Sequence, residues 1–232
     1  MKTMQMMTAV ALAAIGMVGA QAAEVSYNIG VVSLYKSSGV DQDYNATTGA
    51  YNDAVRPAVQ GGVDVDLGNG LYVGNWNSTG VFEKGNLEID LYGGYAGELS
   101  NGVGYDLGYA HYIYPGQSTW NGGEMYASVS YAGVKLKLTH GLNGSTKAAN
   151  GDAMERLSIG YDFAVNDKTT LNLVYGARNK AKGSYGDFLV GLTYDLGSAV
   201  SMNVNYSAAT KRAEAPTGER DGRVVFGVSK GF

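Results

Sequence analysis

Cysteine is absent from the 232 residues, and proline occurs only three times. Without cysteine there is neither a disulfide framework nor a thiol for lipid attachment, so burial and hydrogen bonding must supply the stability. No apolar run reaches the roughly 20 residues that a membrane-crossing helix needs. Histidine occurs twice, and the formal net charge is −4 with no basic cluster. A nucleic-acid surface would want the opposite sign. What is abundant is glycine, 35 residues, and tyrosine, 18, a composition of neither a helical nor a disordered chain.

The first residues read as a targeting leader. Lys2 gives the positive start, Ala9 to Ala20 the short apolar segment, and Ala20-Gln21-Ala22 a small-x-small cleavage site. Residues 1–22 are therefore expected to be a signal peptide and 23–232 the mature domain, with a formal charge of −5 once Lys2 is removed from the −4 total.

The mature chain alternates. In Phe188 to Tyr194 and again in Val200 to Ala208, apolar side chains occupy every second position around a Gly197-Ser198-Ala199 turn. Successive strand residues point to opposite faces, so this is a hairpin with one apolar face and one mostly polar face. Each arm has about the 9–11 residues of a membrane-crossing β-strand.

The same unit recurs along the chain, giving twelve expected strands. They are Val25–Leu34, Ala58–Leu67, Leu71–Asn77, Asn86–Gly97, Val103–Tyr114, the segments around Met125–Tyr131, Val134–Thr139, Leu157–Phe163 and Thr169–Tyr175, the two arms of the hairpin, and Gly222–Phe232. For Leu71–Asn77 the outward face is ambiguous between Leu71/Val73 and Tyr72/Trp76. Long polar connections, such as Tyr35–Arg56, Ser78–Gly85 and Gly141–Glu155, alternate with short ones, such as Gly68-Asn69-Gly70. Short periplasmic turns and longer external loops are the rhythm of an even-stranded outer-membrane barrel. The phrases Val65-Asp66-Leu67, Tyr161-Asp162-Phe163 and Tyr194-Asp195-Leu196 recur before short turns.

Periodicity alone also fits a soluble sandwich. Three features favour lipid. The strands exceed the 5–6 residues typical of globular sheets. Aromatics gather at strand ends, at Tyr161/Phe163 and Tyr194, where a membrane girdle sits. Ionisable groups avoid the apolar face, leaving only His111, His140 and Lys230 there. The expected fold is an all-β, transmembrane, antiparallel up-and-down barrel of about twelve strands in the bacterial outer membrane. The last strand, with Phe226, Val228 and Phe232, has the pattern of the C-terminal signal that outer-membrane assembly machinery reads, except that Lys230 replaces an apolar residue.

Several phrases in the first half resemble the TorF family of porin-type outer-membrane proteins. They are Ser33-Leu34-Tyr35, Gly39-Val40-Asp41-Gln42-Asp43, Arg56 through Gly62, Gly70 through Trp76, Glu88 through Glu98, Tyr105 through Tyr109 and Tyr112 through Gly116. The resemblance covers about residues 25–131. It implies an outer-membrane location and a channel role, and it supplies no substrate and no functional residues.

On the polar face Asp64, Asp66, Glu88, Asp90, Asp106, Glu124, Asp162, Asp187 and Asp195 stand against Lys135, Lys137, Arg156 and Arg223. Charged rings of this kind select ions in other pores. An excess of carboxylates favours cations, while pairing among them, as of Asp162 with Lys135 or Lys137, favours a purely structural role. Tyr92, Tyr112, Tyr114 and Tyr126 share the inward parity, either as a stacking track for solutes or as filling. Small inward residues such as Gly62, Gly104, Gly108, Gly160 and Gly191 leave room for a path. Asp41, Asp43 and Asn45 have the first spacings of a calcium loop, but Ala46 and Asn52 replace its glycine and glutamate. No cofactor or metal is implied. The expected partners are membrane lipid, the assembly machinery and small hydrophilic solutes, with passive diffusion as the activity. A non-conducting structural or adhesive barrel is the rival, and a lipid hydrolase the remoter one. Neither histidine has a Gly-x-Ser-x-Gly nucleophile beside it.

Overall fold

In the computed structural model, which describes residues 23–45, 50–51, 55–82, 85–144, 146, 153–179, 184–210 and 218–232, twelve antiparallel strands close into one barrel. The strands are β1 (Glu24–Val32), β2 (Ala58–Gly68), β3 (Leu71–Phe82), β4 (Gly85–Glu98), β5 (Gly104–Ile113) and β6 (Gly122–Tyr131). They continue with β7 (Val134–Gly144), β8 (Glu155–Asn166), β9 (Thr169–Arg178), β10 (Tyr185–Gly197), β11 (Val200–Ala209) and β12 (Arg223–Gly231). Each strand pairs with its sequence neighbours, and β12 closes on β1 with Asn28 opposite Gly231 and Val32 opposite Gly227. Closure leaves no open edge, which is what a sheet in hydrocarbon requires. No helix among the described residues is long and apolar enough to cross a membrane. The expected leader lies outside the described residues.

The alternation read from the sequence is the inside–outside alternation of the wall. Val25, Tyr27, Ile29 and Val31 on β1, and Val224, Phe226 and Val228 on β12, are exposed, as are their counterparts around the barrel. A continuous exposed apolar belt of this size marks a surface that meets lipid rather than water. Inward positions are smaller and more polar, with Ser201, Asn203, Asn205, Ser207 and Ser229 all buried against the lumen side.

The short connections are built as expected, with Asn69 and Gly70 both at positive φ, +54° and +84°. Those values belong to the two-residue turn that matches strand twist. The recurring aspartates do local work here. Asp66 accepts the Gly68 N–H at 2.8 Å and Asp195 accepts the Gly197 N–H at 2.7 Å, each beside a register shift. In the β8–β9 turn Asn166 takes this part, accepting from Lys168 N–H at 3.0 Å, while Asp162 accepts from Asn172 on β9.

Two expectations need correction. Strand β3 runs to Phe82 rather than stopping at Asn77, so Ser78–Phe82 is strand and only residues 83–84 separate β3 from β4. The inward alternation of Ser78, Gly80 and Phe82 continues because Phe82 is buried in an apolar cluster with Val32, Leu34, Tyr35, Ala58 and Val225. The ambiguous face is resolved with Leu71 and Val73 outward. Asn75 and Asn77 are outward too, and they satisfy their amides locally, on each other and on the carbonyls of Asp90 and Gly61. That polar pair on the lipid side is what blurred the pattern.

The long segment after β1 is not a free external loop. At Ser33 the chain leaves the wall, held by Ser33 N–H to Phe226 O at 2.8 Å and Phe226 N–H to Ser33 Oγ at 3.0 Å. It then folds across the long-loop mouth as a strap. Lys36–Ser37 pairs with Val40–Asp41 around a Ser38-Gly39 turn, both residues at positive φ.

Candidate functional site: the lumen and its strap

The inward side chains fall into two unlike walls. On β2–β6 carboxylates and tyrosines stand among glycines and serines; on β8–β12 serine, asparagine, threonine and glycine predominate, with Arg156, Asp162, Asp187 and Arg223 among them. On the second wall Asn172 donates to Asp162 at 2.8 Å, Thr193 donates to Asn172 at 2.8 Å, and Asn205 donates to Asn203 at 2.9 Å. Ser201 and Ser229 join across β11 and β12 at 3.2 Å.

The acidic wall is organised by tyrosines lying on glycines. Tyr92 on β4 crosses Gly74 on β3 to hydrogen-bond Asp64 on β2. Tyr72 on β3 crosses Gly94 on β4 to donate to Asp106 on β5 at 2.6 Å. Tyr126 on β6 lies over Gly108 on β5 and meets the Tyr72 hydroxyl at 2.6 Å. Closer to the mouth, Tyr112 donates to Glu124 at 2.8 Å and Tyr114 to Glu88 at 2.9 Å. A phenol donating to a carboxylate makes a short, charge-assisted bond. These tyrosines therefore lie flat against the wall and hold its acids in place.

Seen against this geometry, the candidate residues separate. Asp64, Glu88, Asp90, Tyr92, Asp106, Tyr112 and Tyr126 come together on one wall, with Glu124 and, from the next strand, Lys137. Lys137 places its Nζ 4.5 Å from the Tyr126 ring centre, while Lys135 stands opposite Gly160 and diagonal to Asp162. Asp187 is elsewhere, in a two-pronged buried pair with Arg156 at 2.9 and 2.7 Å. Asp66 and Asp195 are exposed at the short-turn rim and belong to the turns. Gly108 and Gly191 leave no free space, because Tyr126 and Asn205 lie over them; at Gly160 a Cβ would meet only ordinary van der Waals contacts. Tyr72 is the organising residue that sequence reading missed. Its inward parity was legible only once the face of β3 was fixed.

The strap closes over this lumen. Its turn reaches β10 and β11, where a Cβ on Gly39 would stand 2.5 Å from the Ala208 carbonyl oxygen. Its far end joins β3 through Val81 N–H to Gln42 O at 3.2 Å. Asp41 is the clasp: it pairs with Lys36 and lies 3.4 Å from Arg223, and its backbone N–H donates to Glu219 O at 2.8 Å. Asp43 pairs with Arg56 at 2.8 Å. Both aspartates are thus engaged by basic side chains, and among the described residues no cluster of three metal-binding side chains exists. Burial pulls the Lys36 ammonium below its usual range and pushes the Asp41 carboxyl up, against the attraction between them. Beneath the strap Phe82, Tyr114 and Trp120 pack edge to face, with ring centres 5.2–6.4 Å apart.

The two histidines face outward near the long-loop rim. His111 stacks with Tyr109, and His140 Nδ1 lies 3.0 Å from Glu155 Oε1. Among the described residues no serine or threonine hydroxyl is hydrogen-bonded to either.

A closed twelve-stranded barrel with an apolar outer belt and a polar lumen is a transmembrane barrel of the bacterial outer-membrane type. The chain belongs to the family described as "Bacterial protein of unknown function (Gcw_chp)", whose model matches residues 17–231. No curated protein sequence matches it. Among solved structures it is similar to the COG4313 outer membrane channel from Pseudomonas putida F1, at 9% identity and TM-score 0.52, over 93% of this chain and 97% of that one. The NanC porin is similar at 11% identity and TM-score 0.51, over 90% and 98%. Outer membrane phospholipase A from Escherichia coli is similar at 12% identity and TM-score 0.50, over 88% and 92%. At such identities what is shared is the fold.

Proposed function

We propose that this protein is a porin-like channel of the bacterial outer membrane that passes small hydrophilic solutes by diffusion. The observation that carries this reading is the two-walled lumen: a wall of mostly small polar residues on β8–β12, its Arg156 and Asp187 paired with each other, faces a carboxylate-rich wall on β2–β6. The carboxylates Asp64, Glu88, Asp90, Asp106 and Glu124 outnumber the lysines facing them, Lys135 and Lys137. Such a lining favours cations. The TorF resemblance over residues 25–131 and the fold shared with two channels support the same reading. The leader over residues 1–22 would deliver the chain across the inner membrane. The C-terminal strand, with Phe226, Val228 and Phe232 outward, would be read by the assembly machinery. His140 and Glu155 have the base and orienting group of a hydrolase but no described nucleophile, so we read the protein as a non-enzyme.

Reconstitution in a planar bilayer under a salt gradient tests this. Discrete conductance steps with a cation-selective reversal potential are expected. A silent bilayer containing correctly folded barrel would favour the structural rival, and anion selectivity would overturn the acidic-wall argument.

A further inference from the structure

Four carboxylates of the acidic wall have a tyrosine hydroxyl as partner; Asp90 does not. It is only 5% exposed, and its Oδ1 has no hydrogen-bond partner among the described residues. Leaving a buried carboxylate uncompensated is unfavourable, so something besides the described side chains must offset it.

Asp90 borders a cavity of about 30 Å³ together with Tyr92, Tyr112, Glu124, Tyr126 and Lys137. That exceeds the roughly 10–15 Å³ one water needs, and it excludes a bulky organic cation. Tyr92 and Tyr112 commit their protons to Asp64 and Glu124, so toward a guest their oxygens offer lone pairs only. Lys137, the cationic side chain bordering the cavity, stands over the Tyr126 ring and has no ion-pair partner among the described residues. The acceptors the cavity presents are hard oxygens, the chemistry that suits Na⁺ or Ca²⁺, set in a wall made mostly of tyrosine rings and Ala110. Only Asp90 and Glu124 bring carboxylates, and no three acidic, histidine or cysteine side chains converge among the described residues. A site with so few charged ligands suits an ion in exchange with the lumen rather than a permanently held one.

We infer that Asp90 and Glu124, with the phenol oxygens around them, form a lumenal binding site for one hard metal cation. This deepens the channel reading by naming where a permeating cation pauses, and the test does not depend on conductance. Purified barrel in detergent micelles is titrated with Tb³⁺, whose emission neighbouring tyrosines sensitise. Saturable emission is expected, displaced by Ca²⁺, weakened at least about tenfold in affinity by Asp90→Asn, weakened by Glu124→Gln, and unchanged by Asp195→Asn at the rim. Lys137→Met should tighten binding by removing the competing charge. Emission unaffected by Asp90→Asn would overturn the site. So would an infrared carboxylic-acid band at neutral pH that Asp90→Asn removes, because a proton would then occupy the place of the metal. Circular dichroism and the gel shift on heating establish that each variant is folded. A protein that binds Tb³⁺ but conducts no current would refute the channel and leave the site standing.

Discussion

Arg156 on β8 reaches Asp187 on β10 by laying its guanidinium across Gly176, the residue of β9 that separates them. A Cβ at residue 176 would stand 2.4 Å from the Arg156 Nη2. Gly176→Ala should therefore break a pair whose side chains are both buried. Breaking such a pair costs about 3–5 kcal/mol. Urea unfolding in lipid vesicles checks this. Gly160→Ala is the control, since its nearest neighbour would be 3.7 Å away, and it should change stability by less than about 1 kcal/mol.

The same device explains the acidic wall. Tyr72 and Tyr92 each cross a glycine to a carboxylate two strands away. Tyr72→Phe keeps the ring but removes the donor from Asp106, whose Oδ2 has no partner among the described residues. Leaving a buried acceptor unsatisfied costs about 1–3 kcal/mol, again read from urea unfolding. Tyr72→Phe combined with Asp106→Asn should cost less than the single change, because a neutral amide suffers less from the lost donor.

How much of this was legible beforehand follows from which forces are local. Alternation fixes which face each residue takes, so the strand count and, outside β3, the two faces of the wall could be read directly. Long-range partners could not. That Tyr92 meets Asp64, or Arg156 meets Asp187, depends on the register across two strand pairs and on an intervening glycine. Asp66 and Asp195 looked like lumen charges because parity is silent about depth; standing two residues before Gly68 and Gly197, they spend their carboxylates on turns. The strap was read as an external loop because it is polar, yet Leu34, Tyr35 and the clasp around Asp41 are buried. Its apolar residues are too few and too irregular to signal docking.

The clasp yields a paired prediction. The side chains of Lys36 and Asp41 are 2% and 0% exposed. Desolvation at such a site can exceed the attraction of the pair, in line with the directions in which burial pushes both groups. Asp41→Asn alone should loosen the strap, because it removes the charge that holds the buried Lys36 ammonium and that Arg223 also approaches. Lys36→Met with Asp41→Leu should restore it. Protease sensitivity at residues 36–45 reads the strap directly, and single-channel current reads it through the mouth. Gly39→Val, at φ +75° and against the Ala208 carbonyl, should unseat the turn and raise the current as Asp41→Asn does.

Depth in the bilayer gives the last prediction. Val190 lies mid-strand on the outer face of β10 and is paired with Leu173 and Tyr206, both outward. Leu196, equally exposed on the same strand, stands at the short turn. A soluble barrel that merely wore its apolar face outward would treat Val190→Arg and Leu196→Arg alike. In a bilayer an arginine costs about 2–4 kcal/mol at the midplane and about 0–1 near the interface. Folding into vesicles should accordingly be weakened by Val190→Arg and nearly untouched by Leu196→Arg, where the guanidinium can reach headgroups. Shortening the lipid acyl chains should narrow the gap, because a thinner bilayer brings residue 190 closer to water. Equal costs at the two positions would contradict a hydrocarbon belt and, with it, the transmembrane reading of every strand.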